Sequence, residues 1–146
     1  SMIKILCVGK IKEKYLKDLI DDYEKRISKY MKIEIIELKD DPIYTKEITN
    51  LNSMINMKDY NVALDLRGEK LSSEEFANFV DKTLVINSNI TFIIGPSDGL
   101  NEEILNKCNK IISFSDLTFP HGLFRGILLE QIYRAFKIIH NETYHK

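Results

Sequence analysis

The segment FSDLTFPHGLFR, residues 114–125, concentrates side chains able to do chemistry. Ser115, Asp116 and Thr118 offer donors and acceptors, His121 titrates near neutrality, and Pro120 and Gly122 turn the chain. It runs directly into the most hydrophobic helical pattern in the sequence, with Arg125 in that helix's first turn. A charge inside an apolar arc is costly unless it is paired or lies near an opening. Arg125 is therefore read either as a pocket or interface residue or as a tether for loop carbonyls. A second polar cluster closes the chain, NETYHK, with Tyr144, His145 and Lys146. By itself it reads as a frayed terminus.

Several familiar chemistries lack their residues. There is neither a Walker A motif nor GxGxxG, and the first loop, VGKIKEK, has a single glycine. No acidic pair follows the first strand, as a phospho-receiver domain needs. His121, His140 and His145 have no ligand spacing and no accompanying carboxylate cluster, so no metal is expected. No Gly-x-Ser-x-Gly elbow occurs. Cys7 and Cys108 lack CxxC spacing and read as reduced thiols of a cytoplasmic protein. No apolar run approaches the ~20 residues of a membrane span.

The elements that must position these groups follow from periodicity. Apolar or β-branched runs predict strands at 2–9, 32–38, 60–66, 90–95 and 110–115. Helical spacing predicts helices at 12–30, weakly at 46–58, after a Ser72/Glu75 capping box, at 102–107 behind Asn101, and at 122–140. Strands alternating with helices, several of them continuously apolar, imply one α/β domain, 2–146, with a parallel sheet covered on both faces. Ligands of such sheets bind at the carboxyl ends of the strands. Those ends are Gly9-Lys10, Asp65–Gly68, Gly95–Gly99 and Ser115–Gly122, which hold five of the six glycines. In the last helix, Phe124, Leu128, Leu129, Ile132, Ala135, Phe136 and Ile139 form one apolar arc. Leu123, Ile127 and Ile138 form a second. A helix apolar on two sides packs against two things, here its own sheet and a second copy of the protein.

The net charge is −1, unevenly spread. Residues 1–32 carry nine Lys/Arg against five Asp/Glu, and residues 118–146 carry four against two, so the middle of the chain is acidic. The two ends could build one basic face, although solvated helix surfaces account for the same counts.

The stretches LDLRG (64–68), FIIGPSDGL (92–100) and ISFSDLTFPHGLFRGILLEQIYRAFKIIHNETYHK (112–146) resemble the bacterial large-subunit ribosomal RNA pseudouridine N3-methyltransferases of the SPOUT superfamily. The opening IKILCVGKIKEKYLKDLIDDYEKRI is similar too, so the likeness covers nearly the whole chain. The resemblance implies a parallel-sheet SPOUT fold with a C-terminal trefoil knot, a homodimer, and S-adenosyl-L-methionine as methyl donor. It carries the cofactor contacts onto Leu64, Gly95, Phe114, Ser115, Asp116, Leu117, Thr118 and Phe119. An adenine between Leu64, Leu117 and Phe119 would suit a mostly apolar pocket. Proton removal from the imide falls to His145 or His121, with Tyr144, Lys146 and Arg125 able to stabilise charge on the base. Arg134, Lys137, Lys146, Lys10, Lys12 and Lys14 are phosphate-contact candidates, and a near-neutral protein suits an assembled ribosome better than naked RNA. The tail is expected to cross the active site and to order on RNA. Family members carry Gly-Gly where this chain has Gly95-Pro96, which removes one amide from any cofactor contact. They also have a longer segment between the second and third strands. The alternatives are a SPOUT enzyme acting on another RNA position and a non-catalytic nucleotide- or RNA-binding module.

Overall fold

The computed structural model describes residues 1–146 and alternates strand and helix throughout. Its elements are β1 (Met2–Val8), α1 (Lys14–Ser28), β2 (Lys32–Leu38), α2 (Tyr44–Ser53), β3 (Tyr60–Lys70), α3 (Ser73–Ile86), β4 (Asn89–Ile94), α4 (Glu102–Lys107), β5 (Lys110–Ser113) and α5 (His121–Ile139). All four strand pairings are parallel, and the sheet order is β2-β1-β4-β3-β5. The expected α/β class with a parallel sheet is what the chain forms.

Alternation along the strands assigns the two faces. Ile3, Ile5, Cys7, Val62, Leu64, Ile90, Phe92 and Ile94 point into a larger core closed by α1, α3 and α5. Leu6, Val8, Ala63 and Ile93 point into a smaller one closed by α2 and α4. β1 and β4 lie inside the sheet and are apolar on both faces. β2, at an edge, alternates half-buried and exposed residues.

Three boundaries differ from expectation. α2 stops at Ser53 rather than 58, because Asn56 accepts from the amide of Lys58 and its own carbonyl takes the side chain of Asn61, a turn that competes with helix. β5 ends at Ser113, where Ser113 donates to the Ser115 carbonyl and Ser115 accepts from the Leu117 amide. β3 does not end at Arg67-Gly68. Ile112 of β5 stands opposite both Leu64 and Glu69, so residues 65–68 bulge out and the strand resumes beyond them. Gly68 makes this possible, since a Cβ there would lie 2.6 Å from the backbone of Ile111 and Ile112.

α5 lies between α1 and α3. Gly122 and Gly126 admit Leu16 and Leu19 of α1 at distances that no Cβ would tolerate. Tyr133 packs its ring against Tyr23, and Phe136 stacks on Tyr30. These contacts account for the first apolar arc of α5. Ile138 packs on the core, while Leu123 and Ile127 remain half-buried.

Candidate active site

Three loops at the carboxyl ends of β3, β4 and β5 surround a cavity of about 770 Å³. Leu64, Leu66, Ile94, Leu100, Phe114, Leu117, Phe119 and Phe124 supply apolar wall, and Ser113, Ser115, Thr118, His121, Asp65, Asp98 and Arg67 supply polar groups. Leu66 and Leu117 are largely exposed, two bulky apolar side chains at the mouth without a protein partner to cover them.

The loops are tied to one another by a few groups. Arg67 donates Nε and one terminal nitrogen to the two carboxylate oxygens of Asp65, at 2.8 and 2.9 Å. The same guanidinium reaches the Leu100 carbonyl at 2.8 Å and Glu102 at 3.0 Å, which joins the β3 loop to the loop after β4. That bidentate pairing holds the Asp65 carboxyl below its usual range. Tyr44 of α2 donates to the Gly99 carbonyl at 2.9 Å, and the Gly99 amide closes a turn onto the Pro96 carbonyl. Gly99 has φ +85°, a conformation that favours glycine, and nothing stands within 4 Å of where its Cβ would lie. Pro96 is buried in this loop and contributes its carbonyl to the turn.

His121 opens α5 and lines the cavity. Its Nε2 is buried without a hydrogen-bond partner, and burial followed by the charge of Arg125 pushes its pKa below the ordinary histidine value. Burial therefore favours its uncharged form. Arg125, by contrast, lies outside the cavity and is 1% exposed. It donates to the Gly9 carbonyl at 2.9 Å and pairs with Glu37. Its contacts are those of a tether for a loop carbonyl, and it does not line this cavity. Its charge is neutralised by the end of β2, which the helical wheel could not reveal.

The tail docks against α5 and α3. Tyr144 donates to Glu130 at 3.0 Å and sets its ring edge against Tyr133. His145 bridges Glu74 at 2.6 Å and Arg134 at 3.1 Å. Neither residue lines the cavity. Arg134 is held by Glu130 on the preceding turn, and Lys137 by Glu142, so both are occupied cations rather than free phosphate contacts. Lys14 pairs with Asp18, while Lys10, Lys12 and Lys146 are exposed. Of the eight carried-over contacts, Leu64, Gly95, Phe114, Ser115, Leu117, Thr118 and Phe119 line the cavity. Asp116 does not; it is exposed and pairs with Lys70. Both cysteines are free, with thiols pushed up to about 11 by burial, which keeps them out of nucleophilic chemistry. No cluster of His, Cys, Asp or Glu is arranged to hold a metal ion, and no helix is long and apolar enough to cross a membrane.

A family model described as "Predicted SPOUT methyltransferase" matches residues 2–145. This chain belongs to the SPOUT methyltransferase family. Among its SPOUT relatives, "Ribosomal RNA large subunit methyltransferase H 1" of Clostridium perfringens (strain SM101) is 46% identical over 157 aligned positions, covering 99% of each chain. "Ribosomal RNA large subunit methyltransferase H" of Clostridium botulinum (strain Alaska E43) is 48% identical with the same coverage. Solved structures share the SPOUT fold at low identity. A probable methylase family protein from Haemophilus influenzae Rd KW20 superposes with TM-score 0.57 at 13% identity, covering 99% of this chain and 70% of that one. The tRNA (m1G37) methyltransferase of Aquifex aeolicus gives 0.51 at 16%, covering 92% and 70%. At these identities the likeness speaks for the fold alone.

Sequence reasoning missed Leu66, Arg67, Asp98 and Phe124 as site residues. Three of them stand inside LDLRG and FIIGPSDGL, and their position at strand ends was the available signal. What could not be read was that Arg67 folds back on Asp65.

Proposed function

We propose that this SPOUT methyltransferase transfers a methyl group from S-adenosyl-L-methionine to N3 of a pseudouridine in large-subunit ribosomal RNA, acting as a homodimer on the assembled ribosome. One observation carries the reading. The three sequence stretches that resemble the family converge on a single cavity at the rim where an α/β sheet binds ligands. Near-full-length relatives bearing the name of a large-subunit RNA methyltransferase support the substrate class.

The residues present fit the cofactor. The volume lies within the ~300–1,000 Å³ of small-molecule sites, the wall is mostly apolar, and the exposed Leu66 and Leu117 at the rim offer apolar surface that a ligand would cover. Bound there, the cofactor supplies a methyl group activated on a sulfonium. Leu64, Leu117 and Phe119 are suited to hold an adenine by its faces, while Ser115 and Thr118 can fix its edge. Orienting the two reactants can lower much of the barrier, so no strong base is required. Among the four proposed catalytic residues only His121 lines the cavity, and its neutral imidazole can accept the imide proton. Tyr144 and His145 contribute only by leaving their contacts or by meeting the cavity of a second copy. The half-buried Leu123 and Ile127 favour such a copy on the outer side of α5. We further propose that the segment after β5 is tied in the family's trefoil knot; the match to the SPOUT family over residues 2–145 supports this.

Mass mapping of nucleotides in ribosomes incubated with the protein and labelled donor tests the reading. Label at N3 of a pseudouridine of the large subunit is expected. Label elsewhere would make the chain a SPOUT enzyme of different target, and RNA binding without donor binding would make it a binding module.

A further inference from the structure

The charge on the cavity wall is unbalanced. Its one cation, Arg67, is half-exposed and engaged twice over, by Asp65 on the wall and by Glu102 at the start of α4. Burial disfavours a charge on His121. That leaves Asp98, an exposed carboxylate at the tip of the turn between Pro96 and Gly99, which takes part in none of the ion pairs that tie the rim. Its turn is braced at its C-terminal end, by Tyr44 on the Gly99 carbonyl and by Arg67 on the Leu100 carbonyl. The loop therefore presents an unpaired carboxylate beside a wall whose other charged side chains are paired.

We infer that Asp98 is a specificity residue that favours a cationic ligand in this cavity over its neutral counterpart. The inference rests on the cofactor proposed above. With an ammonium, a carboxylate and a sulfonium, S-adenosylmethionine carries net charge +1. In the transfer the carbon–sulfur bond breaks as the carbon–nitrogen bond forms, the electron pair stays on sulfur, and the imide proton passes to solvent. The product, S-adenosylhomocysteine, is then a neutral zwitterion of nearly the same shape. An apolar cradle reading only the adenosine would hold both equally and would leave the product as an inhibitor. A single unpaired carboxylate separates them by Coulomb attraction alone, and so assists both loading of donor and release of product. Arg67 plays the complementary part, because by neutralising Asp65 it confines the attraction to the loop tip.

The test is calorimetric titration of the protein without RNA, using S-adenosylmethionine and S-adenosylhomocysteine separately, on the wild type, Asp98→Asn and Asp98→Glu. Asn keeps the turn-forming capacity of the position and removes only the charge. The expected result is that Asp98→Asn weakens donor binding about threefold to tenfold, the range for unit charges several ångström apart in a partly solvated site. Product affinity should stay unchanged, Asp98→Glu should retain the discrimination, and high salt should shrink it in the wild type and in Asp98→Glu but not in Asp98→Asn. Equal loss of both ligands in Asp98→Asn, or an unchanged ratio between them, overturns the inference. Wild-type protein that binds neither ligand instead overturns the cofactor reading on which it rests.

Discussion

Arg125 and Glu37 form a pair of unequal partners. The arginine is 1% exposed while the Glu37 side chain retains 33%. Breaking a buried pair is expensive when the group left behind cannot reach water. Loss of the arginine leaves a carboxylate that can hydrate, whereas loss of the carboxylate leaves a guanidinium that cannot. Its Nε already lacks a partner, so little reserve exists there. Glu37→Ala is therefore expected to cost about 3 kcal/mol. Arg125→Met, which keeps the aliphatic packing and forfeits mainly the Gly9 bond, should cost less. Urea unfolding of the two variants measures the order, and a larger loss for Arg125→Met would show that the pair is worth more than the burial it relieves. Neither variant should abolish donor binding, because neither residue lines the cavity.

Two elements decide how the site is framed, the extension of β3 past its bulge and the docked tail. Gly68→Ala forces a Cβ against the Ile111–Ile112 backbone, which cannot swing aside as a side chain could. A loss of about 3 kcal/mol in unfolding free energy is expected, at the upper end of overpacking costs. Gly126→Ala meets only the tip of Leu19 and should be milder. The tail rests on carboxylates whose pKa values are lowered, Glu74 chiefly by the hydrogen bond with His145 and Glu142 chiefly by that from Tyr30, then by Lys137. For a depressed carboxylate the stabilisation is present above the unfolded pKa of about 4.3 and is lost as pH falls through the folded value. Amide exchange at residues 142–146 should accordingly quicken on acidification below about pH 4, before the core unfolds; exchange indifferent to pH in that window, after correction for intrinsic rates, would exclude these contacts as the latch. Both elements also mark where sequence reading ended. The continuous apolar runs of β1 and β4, the Ser72 capping box and the glycine-bearing strand ends made the sheet, the helices and the rim of the cavity legible, because each is a local pattern. Boundaries at Ser53 and Lys70 were hidden, since an Asx turn competes with helix in one case and a cross-strand rejoining needs the third dimension in the other. Arg125 and His145 were legible as unusual residues but not as tethered ones, because Glu37 and Glu74 lie 88 and 71 residues away along the chain.

At the scale of the whole molecule, the distribution of free cations limits how the protein meets RNA. The net charge is −1, and most of the basic side chains near α5 are already spoken for: Arg134 by Glu130, Lys137 by Glu142, Arg26 by Asp22. Lys10 and Lys12 in the first loop and Lys146 at the terminus are exposed outside those pairs. Each phosphate neutralised releases counterions, so the logarithm of the binding constant should fall with the logarithm of salt at a slope of about −0.7 to −0.9 per contact. Three contacts give a slope between about −2 and −3, or a loss of roughly 20- to 60-fold between 50 and 200 mM salt. Filter binding to protein-free large-subunit RNA should return that shallow slope and weak affinity. Binding to whole ribosomes should be tighter with a similar slope, because the added contacts would come from shape and apolar surface, such as Leu66 and Leu117 at the cavity mouth, rather than from phosphates. Substituting Lys10 and Lys12 together by glutamine should remove about two of the three contacts and flatten the slope to near −1. A slope of about −3.5 to −4.5 would mean instead that Arg134 and Lys137 abandon their carboxylates on contact with RNA, and that the tail they hold is released with them.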